Sequence, residues 1–156
     1  MSKASARKKA ARLLDCYWDG KIPVDPVAIA HKAGVRVVSC ELRDDGVLSK
    51  LYFEEGRPVI ALNPNEAPYH RRFSVAKQFG HFVLKHGEHY VDSLNIVAYG
   101  HEEEEAKEFA MELLMPKLIV DGLIKKRNIS DFDVLLKKFD VPTPVMISRL
   151  KSLHWI

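Results

Sequence analysis

Cysteine is nearly absent from this chain. Cys16 and Cys40 are the only two in 156 residues, too few and too plainly placed for a disulfide framework or a cysteine-rich zinc site. No apolar run reaches the ~20 residues that a membrane span requires. The basic opening from Met1 to Lys9 leads into no apolar signal-peptide core. The expectation is a cytoplasmic protein with no membrane contact. The chain also lacks a glycine-rich phosphate loop, an internal repeat and a low-complexity tract. Neither cysteine has an adjacent histidine, and Ser74 has no base at helical spacing, so thiol and serine nucleophiles find no support. What is present is an ordinary globular composition, 47% hydrophobic and 29% charged, on a length that suits one domain with a small appendage.

The net charge of +3 is spread unevenly. Residues 1–21 carry six Lys/Arg against two Asp/Glu, residues 22–116 ten against fifteen, and residues 117–156 eight against four. Two basic ends flank an acidic middle. Such ends suit nucleic acid or an acidic partner, although solvated helix faces are the simpler account of charge alone.

Read in order, residues 3–18 have a helical pattern, with Ala4, Ala11, Leu14 and Trp18 able to share a face before Gly20 ends it. Asp25 and Pro26 read as the N-cap and first residue of a short helix that stops at Gly34. Val35 to Cys40, Val47 to Phe53 and Pro58 to Asn63 read as strands, separated by turn signals at Asp44-Asp45-Gly46 and Glu55-Gly56-Arg57. Their close succession predicts an antiparallel meander. A helix from Tyr69 to Leu84 places Phe73, Ala76, Phe79, Gly80 and Val83 on or near one stripe. Residues 86–100 read as loop. A second strong helix, Glu102 to Met115, has Ala106, Phe109, Ala110, Leu113 and Leu114 on its inner face. Three shorter helices follow, from Pro116 to Arg127, Ser130 to Phe139 and Thr143 to Leu153. The last two could form a helix-turn-helix beside Lys137, Lys138, Arg149 and Lys151. Pro142 and Pro144 crowd the would-be recognition helix, so packing through Val145, Ile147, Leu150, Leu153 and Trp155 is preferred. The division expected is 1–24, a basic helix; 25–127, the main domain; and 128–156, a helical appendage.

Zinc hydrolysis on a helix needs two ligands four residues apart and a carboxylate beside the first to take the proton from water. Position 81 is His, position 77 is Lys and position 78 is Gln. A lone histidine on an apolar helix is most simply a satisfied core residue, and acids at 102–105 most simply complement a helix N-terminus. Arg72-Phe73-Ser74-Val75-Ala76-Lys77-Gln78-Phe79-Gly80-His81-Phe82-Val83-Leu84, however, resembles the His-Glu-x-x-His helix of the ImmA/IrrE-type metallopeptidases. Glu105-Ala106-Lys107-Glu108-Phe109-Ala110-Met111-Glu112-Leu113-Leu114-Met115-Pro116 is similar to that family's second conserved helix. Ile60-Ala61-Leu62-Asn63 and the tail from Phe139-Asp140-Val141-Pro142 to Arg149-Leu150 also match, so the resemblance spans roughly residues 25–156.

The resemblance implies an α+β, zincin-like fold, with a small three-stranded antiparallel sheet packed on the motif helix. Carried over, the second and third metal ligands fall on His81 and Glu105. The first ligand falls on Lys77 and the catalytic base on Gln78. An ammonium has no lone pair and an amide is no base, so the degenerate motif implies a pseudo-metallopeptidase with no catalytic residue intact and no cofactor. Lys107 also departs from the family's usual Asn. A contact between Lys77 and Glu105 is expected, the ammonium replacing the ion, with Glu102 as the fallback for the inward acid. Zinc would return only in a rearranged site, drawing on His86 or His89; His70 lies two turns from Lys77, and His101 is also near in sequence. Family membership implies a regulator from a phage, mobile element or toxin–antitoxin operon that binds a helix-turn-helix repressor or antitoxin. The alternatives are an active zinc endopeptidase that cleaves such a repressor, and a DNA-binding regulator using the basic ends.

Overall fold

A computed structural model describes residues 2–42, 46–87, 90–93 and 100–156. Helix α1 (Lys3–Tyr17) starts where the Ser2 hydroxyl accepts the Ser5 N–H. Helix α2 (Pro26–Lys32) is capped by Asp25, which accepts the N–H groups of Val27 and Ala28 at 3.0 and 3.1 Å. Asp25 satisfies two donors that the first turn leaves open, and Pro26 has none to satisfy. Strands β1 (Arg36–Ser39), β2 (Val47–Glu54) and β3 (Arg57–Leu62) follow. Between β2 and β3, Glu55 and Gly56 both have positive φ, 52° and 79°, the geometry of a two-residue hairpin turn whose twist matches the strands. The expected turn at Asp44-Asp45 lies outside the described residues.

The sheet corrects the expected three-stranded antiparallel meander. Its order is β1-β3-β2-β4, with β1 parallel to β3 and β2 antiparallel to both β3 and β4. The tight Glu55-Gly56 turn ties β2 to β3, so β1 takes the outer edge of β3. The fourth strand, β4 (Tyr90–Ser93), falls within the stretch read as loop. At four residues it is too short to show an alternating pattern of its own.

Helix α3 (Pro68–Val83) is buried without interruption from Phe73 to His81, because the sheet covers one side and helix α4 (His101–Leu114) the other. The ideal Cβ position on Gly80 lies 2.9 Å from the Phe109 ring, so only glycine lets these helices come this close. Phe79 meets the same ring edge-on at 5.6 Å. Helix α5 (Lys117–Arg127) ends on Asn128 in the left-handed conformation, and α6 (Phe132–Phe139) on Asp140 in the same way. Helix α7 (Thr143–Ser152) follows α6.

One core runs through the described residues. Ala6, Ala10 and Leu14 of α1, Phe79 of α3, Phe109 and Leu113 of α4, and Leu135, Met146 and Leu150 of the last helices all belong to it. The C-terminal helices pack, as preferred: Val145, Leu153 and Trp155 lie against that core. Arg149 is buried, and its Nε and Nη2 donate to the Met115 carbonyl at 3.0 and 2.8 Å while Nη2 also meets Glu112. Among the described residues no helix is long and apolar enough to cross a membrane.

Candidate functional site

Two neighbours on α3 face a pair of residues facing each other across β2 and β4. Ser49 of β2 stands opposite Asp92 of β4. Gln78 donates its amide to the Ser49 hydroxyl at 3.0 Å, and Lys77 reaches Asp92 at 3.1 Å. The first turn of α4 closes the site, placing Glu103 2.7 Å from the Lys77 ammonium. Lys77 is only 7% exposed. Burial alone lowers its pKa, but Asp92 and Glu103 together outweigh burial and raise it above the ordinary lysine value. The ammonium stays charged.

One turn on, His81 is fully buried and stacks on the Tyr90 ring at 3.5 Å, with 21° between the planes. Its Nε2 lies 3.1 Å from Glu103 and its Nδ1 2.8 Å from His86 Nδ1. Burial lowers the His81 pKa, Glu103 partly offsets this, and His86 and Lys77 add to the lowering. The imidazole is therefore neutral at pH 7, with one N–H to give. Glu103 carries the opposite balance. Burial raises it, but His81 and Lys77 pull its carboxyl down to about 2. Tyr90 is pushed up to about 12, first by burial and then by Glu102 and Glu103, with its hydroxyl bonded to Glu102.

Glu105 sits elsewhere. It is 3.3 Å from His86 Nε2, and its Oε2 and His86 Nε2 are buried without hydrogen-bond partners in the described structure. The expected Lys77–Glu105 contact is thus corrected: Lys77 pairs with Glu103 and Asp92. Successive helical residues are 100° apart, so Glu103 and Glu105 reach His81 and His86 from different sides of α4. Glu103, read as a helix-start acid, and Glu102, read so but kept as the fallback for the inward acid, both serve the site, whereas Glu104 is exposed and meets Lys3 at 3.4 Å. Asp92, Glu103 and Tyr90 were invisible in the sequence as site residues. Asp92 and Tyr90 depend on a strand too short to recognise, and no spacing rule links Glu103 to His81. His86 folds back to the site, His70 lies near Glu66 at 3.9 Å, and His89 lies outside the described residues.

This donor set does not fit zinc. Lys77, which the sequence resemblance sets at the first-ligand position, is a paired ammonium with no lone pair. Both ring nitrogens of His81 are within hydrogen-bond distance of neighbours. Among the described residues, no three or more His, Cys, Asp or Glu are grouped so as to hold a metal ion. Beside Lys77, Gln78 is a neutral amide tied to Ser49. The arrangement can hold charge and fix three elements together.

A helix carrying His81, a second helix carrying Glu103 and Glu105, and an edge strand beside them define a zincin-like α+β protein. Residues 30–151 match the IrrE N-terminal-like domain, a peptidase family, and the chain belongs to that family. Comparison with curated proteins finds no match.

Proposed function

We propose that this chain is a catalytically impaired member of its family, which regulates by binding a protein partner rather than by cutting it. The observation that carries this reading is the Lys77 ammonium. It occupies the position that the resemblance assigns to the first metal ligand, and it is held at 2.7 Å from Glu103 and 3.1 Å from Asp92. A unit positive charge made of side chain takes the place of an ion, so the acids of the cleft need no metal to balance them. Gln78 at the base position removes the proton acceptor, a group worth about 10²–10⁴ in rate. His81 and Glu105 are then vestigial ligands.

Following the family resemblance, the partner is a helix-turn-helix repressor or antitoxin inside the cell, of the kind encoded by phages, mobile elements and toxin–antitoxin operons. The test compares the chain with its Lys77→His/Gln78→Glu double variant. Both are incubated with zinc, dialysed and assayed for metal and for cleavage of a purified helix-turn-helix repressor. The parent is expected to retain far less than one zinc per chain and to bind the repressor uncut, while the double variant gains metal. One zinc per parent chain together with repressor cleavage would overturn the reading.

A further inference from the structure

The fold brings together two ends that the sequence keeps apart. A cavity of about 540 Å³ opens between α1, the start of α5 and the end of α7. Arg7 and Lys8 line it from α1, Lys117 from α5, and Ser152 and His154 from the C-terminal end. Cationic side chains from both basic ends of the chain therefore face one space.

One carboxylate, Glu112, is also in the wall, and it is already engaged. Arg149 meets it directly, and the Lys117 N–H donates to it at 3.3 Å. The start of α5 thus already holds one internal anion, as the partial positive charge of a helix N-terminus favours. The cations further out keep donors to spare. Arg7 gives one N–H to Glu108 at 3.0 Å, yet its side chain is 42% exposed and a guanidinium has further donors. Lys117 holds Asp121 at 2.6 Å with its side chain 62% exposed, leaving two ammonium donors. Lys8 is exposed and has no ion-pair partner among the described residues. His154 is exposed on a backbone with φ 63°, anchored by its N–H to the Lys151 carbonyl at 3.0 Å.

We propose that this cavity binds a phosphate-bearing ligand. A tetrahedral oxyanion can accept from a guanidinium, two ammonium groups and an imidazole at once, and charge-assisted bonds of this kind are the stronger class. The volume lies within the range of about 300–1,000 Å³ typical of ligand sites. The site stands apart from the Lys77 cluster and does not depend on the role proposed for it.

The experiment titrates the full chain at low ionic strength with inorganic phosphate by calorimetry, and with a labelled short duplex DNA by anisotropy. Two exposed variants are compared, each checked for an unchanged thermal melt: Lys8→Glu in the cavity wall and Lys137→Glu on α6, outside it. Phosphate binding is expected to weaken by about tenfold or more in Lys8→Glu and to persist in Lys137→Glu. DNA binding that falls in the same variant, and falls with added salt, assigns the group to a nucleic-acid backbone. Phosphate binding without DNA binding assigns it to a small ligand. Failure of the parent chain to bind either probe, or equal loss in both variants, would overturn the proposal.

Discussion

At the scale of single residues, the centre of the molecule is a lysine held between carboxylates. Lys77→Met keeps most of the volume and deletes the charge, leaving Glu103 and Asp92 facing each other in a mostly buried site. Breaking a buried pair in this way costs about 3–5 kcal/mol, so the urea midpoint of Lys77→Met is expected to fall sharply. Glu105→Gln should cost less, because one oxygen of that carboxylate has no partner to lose. Equal stability of Lys77→Met and the parent would show that the pairing contributes nothing. The same residues mark how far the site could be read from sequence. His81 and Lys77 were legible because both lie on one helix, where a spacing of four has a fixed geometrical meaning. The acid that answers them was placed on Glu105 and proved to be Glu103. Which side chain of a helix's first turn reaches a neighbour depends on how the two helices cross, and no local pattern encodes that crossing.

Among the elements, α3 and α4 were legible nearly to their ends, because their apolar residues recur at three and four over several turns. Strand β4 was not, since four residues carry too few alternations to separate strand from loop. The parallel pairing of β1 was also hidden: a turn signal shows which strands are joined closely, but not which edge the preceding strand takes. The contact between α3 and α4 gives the sharpest test at this scale. Gly80→Ala would set a methyl group 2.9 Å from the Phe109 ring, and overpacking of this kind costs about 1–3 kcal/mol. Thermal denaturation should show the loss. Adding Phe109→Leu should recover part of it, because the two positions share one contact and are not additive. Full additivity would mean that the helices separate rather than clash.

In the whole molecule, the last residues are clasped to the body by Asp121. It accepts the Trp155 indole N–H at 2.9 Å and holds Lys117 at 2.6 Å. Burial raises its carboxyl and is the largest single influence, but the bonds to Lys117 and Trp155, with the charges of Lys117 and Lys125, together outweigh it and hold it below the ordinary value of 3.8. A carboxyl depressed in the folded state adds stability above its unfolded pKa, and that stability is lost as pH falls through the folded one. Trp155 fluorescence, read in a Trp18→Phe background, should therefore shift only below pH 3.8. Asp121→Asn should abolish that step. A transition at the same pH in the Asn variant would assign it to another group.

Helix α1 lies outside the segment that matches the family, residues 30–151, yet it is bound to α4 along its length. Glu104 meets Lys3, Glu108 meets Arg7, and Ala6, Ala10 and Leu14 fill the core beneath. The link from α1 to α2 passes through exposed Asp19, Gly20 and Lys21. A single proteolytic cut there should therefore release nothing: the two pieces would co-migrate on gel filtration as one nicked particle and separate only in denaturant. Mixed after separation, they should reassemble, making the first helix a detachable but self-addressed part of the protein.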